Sequence, residues 1–280
     1  MDKKKIKKPI IQAAIILAIF LVIEIAMVYL NVFPNQNLLY GADTILRIIF
    51  GIVSLVLLRS YSKEGETKYS VKQLFTNKIP AKTWLVLIPF ILSCIAPFFK
   101  LFTAYAFTTV VLDTLIIVII QQFATGFFEE ATHRALMMNG LIKYNTGTVK
   151  QRLFTVFVAG AFFGLSHAVN IFFGENPLIQ VPATLLAGVF FAAIYMLTDN
   201  LLLVMLMHAF SDSTFRIVDG LFGYVHDSSI CLAVKYIRNG LEYVILPLMA
   251  ILICVYYDKL KGSQSEDSVE LENEEIRVSV

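Results

Sequence analysis

Eight separate stretches of this chain are so long and so apolar that they leave little choice of solvent. They fall at about 10–31, 40–59, 83–101, 106–128, 153–173, 178–198, 200–217 and 241–257, and roughly 17–25 such residues are what a helix needs to cross a bilayer. In hydrocarbon every backbone N–H and C=O must be satisfied within the segment itself, so such runs fold as helices. The remainder of the chain agrees. It is 58% hydrophobic and 16% charged, with a mean hydropathy of +0.73, against about 45–50% apolar and about 25% charged in a soluble domain. The expected fold is all-α, a polytopic transmembrane bundle of about eight spans, multi-pass in a cell membrane and with the lipid bilayer as its principal partner.

The membrane domain takes up residues 1–257 and has no internal repeat. Residues 258–280 form a polar tail carrying Glu270, Glu272, Glu274 and Glu275, expected to be disordered because it has too little apolar surface to offset the entropy of ordering. Lys3, Lys4, Lys5, Lys7 and Lys8 crowd the N-terminus. An apolar span follows them at once, so they read as a cytoplasmic flank under the positive-inside rule, with no nucleic-acid partner implied. The loops 59–82 and 130–152 are rich in Lys and Arg, whereas those around Pro34 and 174–177 carry none. That pattern puts both termini in the cytoplasm, although Arg216, Lys235 and Arg238 then fall in an outward loop. The fourth helix has no strong breaker before Asn145 and is expected to run on to about Lys143. Ser62–Lys82 suits a short interfacial helix through Val71, Leu74 and Phe75, and 218–240 suits a loop dipping into the outer interface. Cys94, Cys231 and Cys254 are scattered and read as packing residues.

Ionisable residues inside spans are costly and mark candidate sites. Asp43 and Arg47, four apart, read as a self-neutralising pair. Asp199 reads as the cap of the next helix. Glu24 stands alone, with no role beyond an interhelical hydrogen bond. The rest form a pattern. In "TGFFEEATHR", Glu130 and Arg134 share a helix face and can neutralise each other, while Glu129 is rotated about 100° from Glu130 and left for chemistry. "FFGLSH" places Phe163 and His167 four apart, and "HAFSD" does the same for His208 and Asp212. Bundles build sites by converging such side chains from facing helices. A carboxylate with imidazoles can activate water and steady an oxyanion, relay protons, or bind a divalent metal such as zinc. Spacing alone leaves these open.

The three motifs, in order, resemble those of the CPBP family of intramembrane proteases, which joins CAAX-processing endopeptidases with bacterial Abi and bacteriocin self-immunity proteins. "EEATHR" fits EExxxR, "FGLSH" fits FxxxH, and "HAFSD" fits HxxxN/D; the likeness covers about 110–219. It implies a membrane endopeptidase acting on a membrane-associated peptide or protein, in peptide processing or bacteriocin self-immunity. Glu129 would then activate water with help from His167. His208 and Asp212 would stabilise the oxyanion or bind water, and Glu130, Arg134 and Phe163 would support the site. Metallo- and metal-free mechanisms are both argued for the family, and if a metal is present its ligands would be Glu129, His167, His208 and Asp212. The rival readings are a non-catalytic immunity or scaffold protein and a proton-coupled carrier. One departure is that Asp212 stands where Asn is frequent, and an ionised Asp cannot donate to an oxyanion. A second concerns depth: His167 lies about 22 Å along its helix from Arg152, but His208 only about 12 Å from Asn200.

Overall fold

The computed structural model describes residues 3–63, 69–107, 112–224 and 228–262. Eight helices among them are long and apolar enough to span a membrane: Lys8–Tyr29, Gln36–Lys63, Thr83–Thr103, Thr114–Lys143, Val149–Phe173, Pro177–Thr198, Leu201–Val218 and Ser229–Val255, here spans 1 to 8. The protein is thus a multi-pass helical membrane bundle, as its apolar runs require. The outer surface is apolar too: Val22, Leu85, Phe157 and Leu206 all face outward, as side chains bathed in lipid should. The acidic segment beyond Gly262 lies outside the described residues.

Span 4 runs unbroken to Tyr144, through a π-helical stretch Ala131–Met138 and a last α-turn Asn139–Tyr144. Span 8 starts earlier than its apolar stretch suggests. The sequence pattern places a loop before residue 241, but the chain is helical from Ser229, where the Ser228 hydroxyl caps the helix by accepting from Cys231 N–H. Arg238 is neutralised there by Glu242 four residues on, at 2.7 Å, so the charge that argued for a loop is compatible with helix. One element departs from an all-helical fold. Ala104–Phe107 and Phe222–Tyr224 pair as short antiparallel strands, closing the loops after spans 3 and 7.

Even-numbered crossing returns the chain to the face where it began. There Tyr69 O–H donates to Asp199 at 2.6 Å, Arg152 pairs with Asp258 at 2.9 Å, and Lys82 Nζ donates to the Lys259 carbonyl. Loop charge proposes this face as cytoplasmic. The same face resolves the mismatch in depth. The turn between spans 6 and 7 is covered, with Asp199 and Asn200 only 3% and 6% exposed. Over it lies the short helix Val71–Thr76, opened by a Ser70–Gln73 capping box, with Leu74 fully buried. Asn77 Nδ2 donates to the Asp199 carbonyl and Asn200 Nδ2 to that of Asn77. Span 7 therefore begins inside the protein, so His208, eight residues on, reaches the same level as His167. The helix cap is Asn200, whose Oδ1 accepts from Leu203 N–H at 2.9 Å. Asp199 instead takes a left-handed turn (φ 51°) and binds Tyr69 and Lys261. The cap assigned to Asp199 from the sequence belongs to its neighbour.

Candidate functional site

Three close helix contacts set the site. Gly126 lies one turn before the two glutamates, and a Cβ there would fall 2.8 Å from the Met205 carbonyl oxygen and 3.1 Å from Ala209 N. Only a glycine lets the backbones of spans 4 and 7 come this near, which brings residues 129 and 130 level with His208. Gly160 and Gly164 do the same for spans 5 and 6, where a Cβ would come within 2.7 Å of Val189 N and 2.9 Å of the Val181 carbonyl oxygen. Small residues four apart are the usual means of close packing in membranes, where the hydrophobic effect supplies no drive between helices.

The two adjacent glutamates then take different neighbours. Glu130 is fully buried, with Oε2 3.1 Å from Arg134 Nε as an ion pair not aligned as a hydrogen bond. Its Oε1 accepts from His208 Nδ1–H at 2.9 Å. Arg134, equally buried, donates weakly to the Gly188 carbonyl at 3.4 Å and lies 4.7 Å from the Phe163 ring centre. Phe163 is the common wall of the site, its ring also beside those of His133, His167 and His208. Glu129 is partly open, and its Oε2 stands 3.8 Å from His167 Nε2 and 3.7 Å from His208 Nε2. Asp212 is the most exposed member, with Oδ2 3.5 Å from His208 Nε2.

Both imidazoles are held the same way round. His167 closes the α-helical part of span 5, and its Nδ1–H donates to the Phe163 carbonyl at 2.8 Å. The Nδ1–H of His208 is taken by Glu130, and its ring stacks on Phe191 at 5.6 Å. Each therefore turns Nε2 toward one Glu129 oxygen, which is buried and has no hydrogen-bond partner among the described residues. His133, next on the widened π turn, donates Nδ1–H to the Glu129 carbonyl at 2.8 Å; such turns occur often at functional sites.

Sequence reasoning missed the other side of Glu129. Arg47 donates from Nε to Asp43 at 2.7 Å and from its second terminal nitrogen to Glu24 at 2.8 Å. Its first terminal nitrogen lies 3.9 Å from Glu129 Oε1. Glu24 is thus not alone, and Asp43–Arg47 is not a self-contained pair. The signal was a glutamate in span 1 without a local partner, which implied a cation on another helix.

Glu129, His167, His208 and Asp212 lie close together, with both histidine Nε2 atoms turned toward Glu129. Among the described residues no group of three or more His, Cys, Asp or Glu side chains is placed to hold a metal ion.

A partly open carboxylate faced by two oriented imidazoles inside a membrane bundle defines the class: a helical integral membrane protein with a polar site between its spans. Residues 109–214 match the family described as Type II CAAX prenyl endopeptidase Rce1-like, over the segment that carries the three motifs. Neither a curated protein nor a solved structure matches the chain. The matched segment holds every site residue except Glu24, Asp43 and Arg47.

Proposed function

We propose that the protein is an intramembrane endopeptidase that hydrolyses a membrane-associated peptide or protein with water activated by Glu129. The observation that carries this reading is the single Glu129 oxygen facing two Nε2 atoms at 3.7 and 3.8 Å. A water at ordinary hydrogen-bond lengths of about 2.8 Å bridges gaps of that size. Glu129 takes one proton from this water, and His167, fixed by the Phe163 carbonyl, shares it. The oxygen attacks the scissile carbonyl carbon, and charge develops on the carbonyl oxygen. His208, bounded by Glu130 on one nitrogen and by Asp212 and Glu129 on the other, presents the positive edge that meets this charge. Asp212 supports that histidine, a role open to an ionised Asp and to Asn alike. The proton held between Glu129 and His167 then passes to the leaving nitrogen, the C–N bond breaks, and a carboxylate and an amine leave.

Glu130 and Arg134 form a sealed pair that anchors span 4 to spans 6 and 7 and fixes the ring of His208. Peptide processing and bacteriocin self-immunity are both suited to such an enzyme. The test compares membrane peptidomes of cells carrying the wild-type chain or Glu129→Ala at equal abundance. Peptides that lose a terminus only with the wild type support the reading and name substrates. Identical peptidomes, with an unchanged phenotype, would make the protein a non-catalytic scaffold.

A further inference from the structure

The two oxygens of Glu129 look in opposite directions, and only one faces the histidines. Oε1 faces Arg47 at 3.9 Å, while Oε2 faces His167 and His208. Arg47 is in turn held on every side. Asp43 binds it from its own helix at 2.7 Å, and Glu24 reaches it from span 1 at 2.8 Å. The Phe20 ring lies 4.9 Å from its guanidinium carbon. Asp43 is also tied back to span 4, accepting from Gln121 Nε2 at 2.5 Å. The network thus leaves span 4 at Gln121, crosses span 2 and returns to span 4 at Glu129, two helical turns further on. A planar guanidinium serves three carboxylates at fixed angles, which a lysine ammonium cannot do as well.

We infer that Arg47, clamped by Glu24 and Asp43, is a positioning residue that fixes the Glu129 carboxylate with one oxygen turned to the water and imidazoles. The inference rests on Glu129 being the base. It extends the working parts to spans 1 and 2, outside the matched segment 109–214. Without the guanidinium, Glu24, Asp43 and Glu129 would face one another uncompensated. Glu129 is otherwise surrounded by His167 from span 5, by His208 and Asp212 from span 7, and by Glu130, His133 and Arg134 of its own span.

Two measurements on the purified full chain in proteoliposomes test this, each on wild type, Arg47→Met, Arg47→Lys and Glu24→Gln. In the first, dicyclohexylcarbodiimide, which attacks protonated carboxyl groups within membranes, is mapped onto Glu129 by mass spectrometry. Arg47→Met is expected to raise labelling of Glu129 several-fold, with Arg47→Lys between it and wild type and Glu24→Gln no higher than wild type, since it removes a like charge. Equal labelling in wild type and Arg47→Lys, together with Arg47→Met where that variant folds, overturns the contact. In the second, hydrolysis of a quenched farnesylated CAAX reporter peptide is followed. A misplaced base should lower kcat about 10- to 100-fold with KM changed less than about twofold, and Arg47→Lys should recover part of the loss. A loss confined to KM, or no loss in Arg47→Lys and Glu24→Gln, overturns the positioning role. If the wild type leaves the reporter intact, the protease reading is what suffers, and the labelling still decides whether Arg47 holds Glu129.

Discussion

Gly126→Ala adds one methyl group where two membrane helices touch, and its effect can be worked out from the contact. The new Cβ would stand 2.8 Å from the Met205 carbonyl oxygen and 3.1 Å from Ala209 N, both backbone atoms that no rotamer change can move aside. Ordinary contact for a Cβ begins at 3.4 Å, so spans 4 and 7 must part by roughly 0.6 Å. The Glu130–His208 hydrogen bond, now 2.9 Å, would stretch to about 3.5 Å, the edge of what counts as one. Overpacking of this kind costs about 1–3 kcal/mol. Exchanging Gly for Ala within a helix by itself returns about 1 kcal/mol, which would mask part of the cost. Gly41→Ala is the control, because nothing lies within 4 Å of its would-be Cβ. The propensity gain cancels between the two variants, so Gly126→Ala should be less stable than Gly41→Ala by about 1–3 kcal/mol. Thermal unfolding in detergent should then show midpoints roughly 2–10 °C apart, with reporter hydrolysis falling in Gly126→Ala alone. Matching midpoints and rates would show that spans 4 and 7 do not meet at Gly126, and the geometry of the site would go with that contact.

Further outcomes follow from the same contacts. Glu129→Gln, nearly isosteric, should abolish hydrolysis while leaving the unfolding midpoint within a few degrees; retained turnover would remove Glu129 as base. Arg134→Met strands a sealed carboxylate and should cost about 3–5 kcal/mol, and Glu130→Gln combined with Arg134→Met should recover much of that in a double-mutant cycle of thermal midpoints. At the face carrying Tyr69, Tyr257, Lys261 and Asp199, burial and then the Asp199 carboxylate raise Tyr69 above its ordinary range. Burial is also the main cause for Tyr257, and for Lys261 burial alone would lower the pKa, but Asp199 and Tyr257 outweigh it and raise it. Groups whose folded pKa lies above the unfolded one contribute fully below the unfolded value and lose that contribution as pH rises through the folded one. Stability should therefore be flat through neutrality and fall above about pH 10, with Lys261→Met less stable at pH 7 and flatter on the alkaline side in the same melts.

Much of the protein was legible in one dimension because the bilayer removes alternatives. A run such as 178–198 has no way to satisfy its backbone in hydrocarbon except as a helix, so the spans, their number and their apolar outer faces are written in composition and length. The opposite bearings of Glu129 and Glu130 also follow from helical rotation alone, and Phe163 beside His167 follows from a spacing of four. What pairing rules cannot see is contact between distant helices. Glu24 looked solitary because its partner, Arg47, is 23 residues away on another span, and Asp43 looked satisfied because only its local neighbour is visible in sequence. The start of span 8 was hidden because Arg238 reads as a loop charge until Glu242 is seen to meet it. The equal depth of His167 and His208 depends on Asn77, Tyr69 and Lys261 covering the 198–200 turn, and on glycines whose missing side chains let spans close up. Hydrocarbon dictates which segments are helices, since each must satisfy its own backbone; which helices touch, and at what height, depends on close packing and on charges that find partners only once the bundle is assembled.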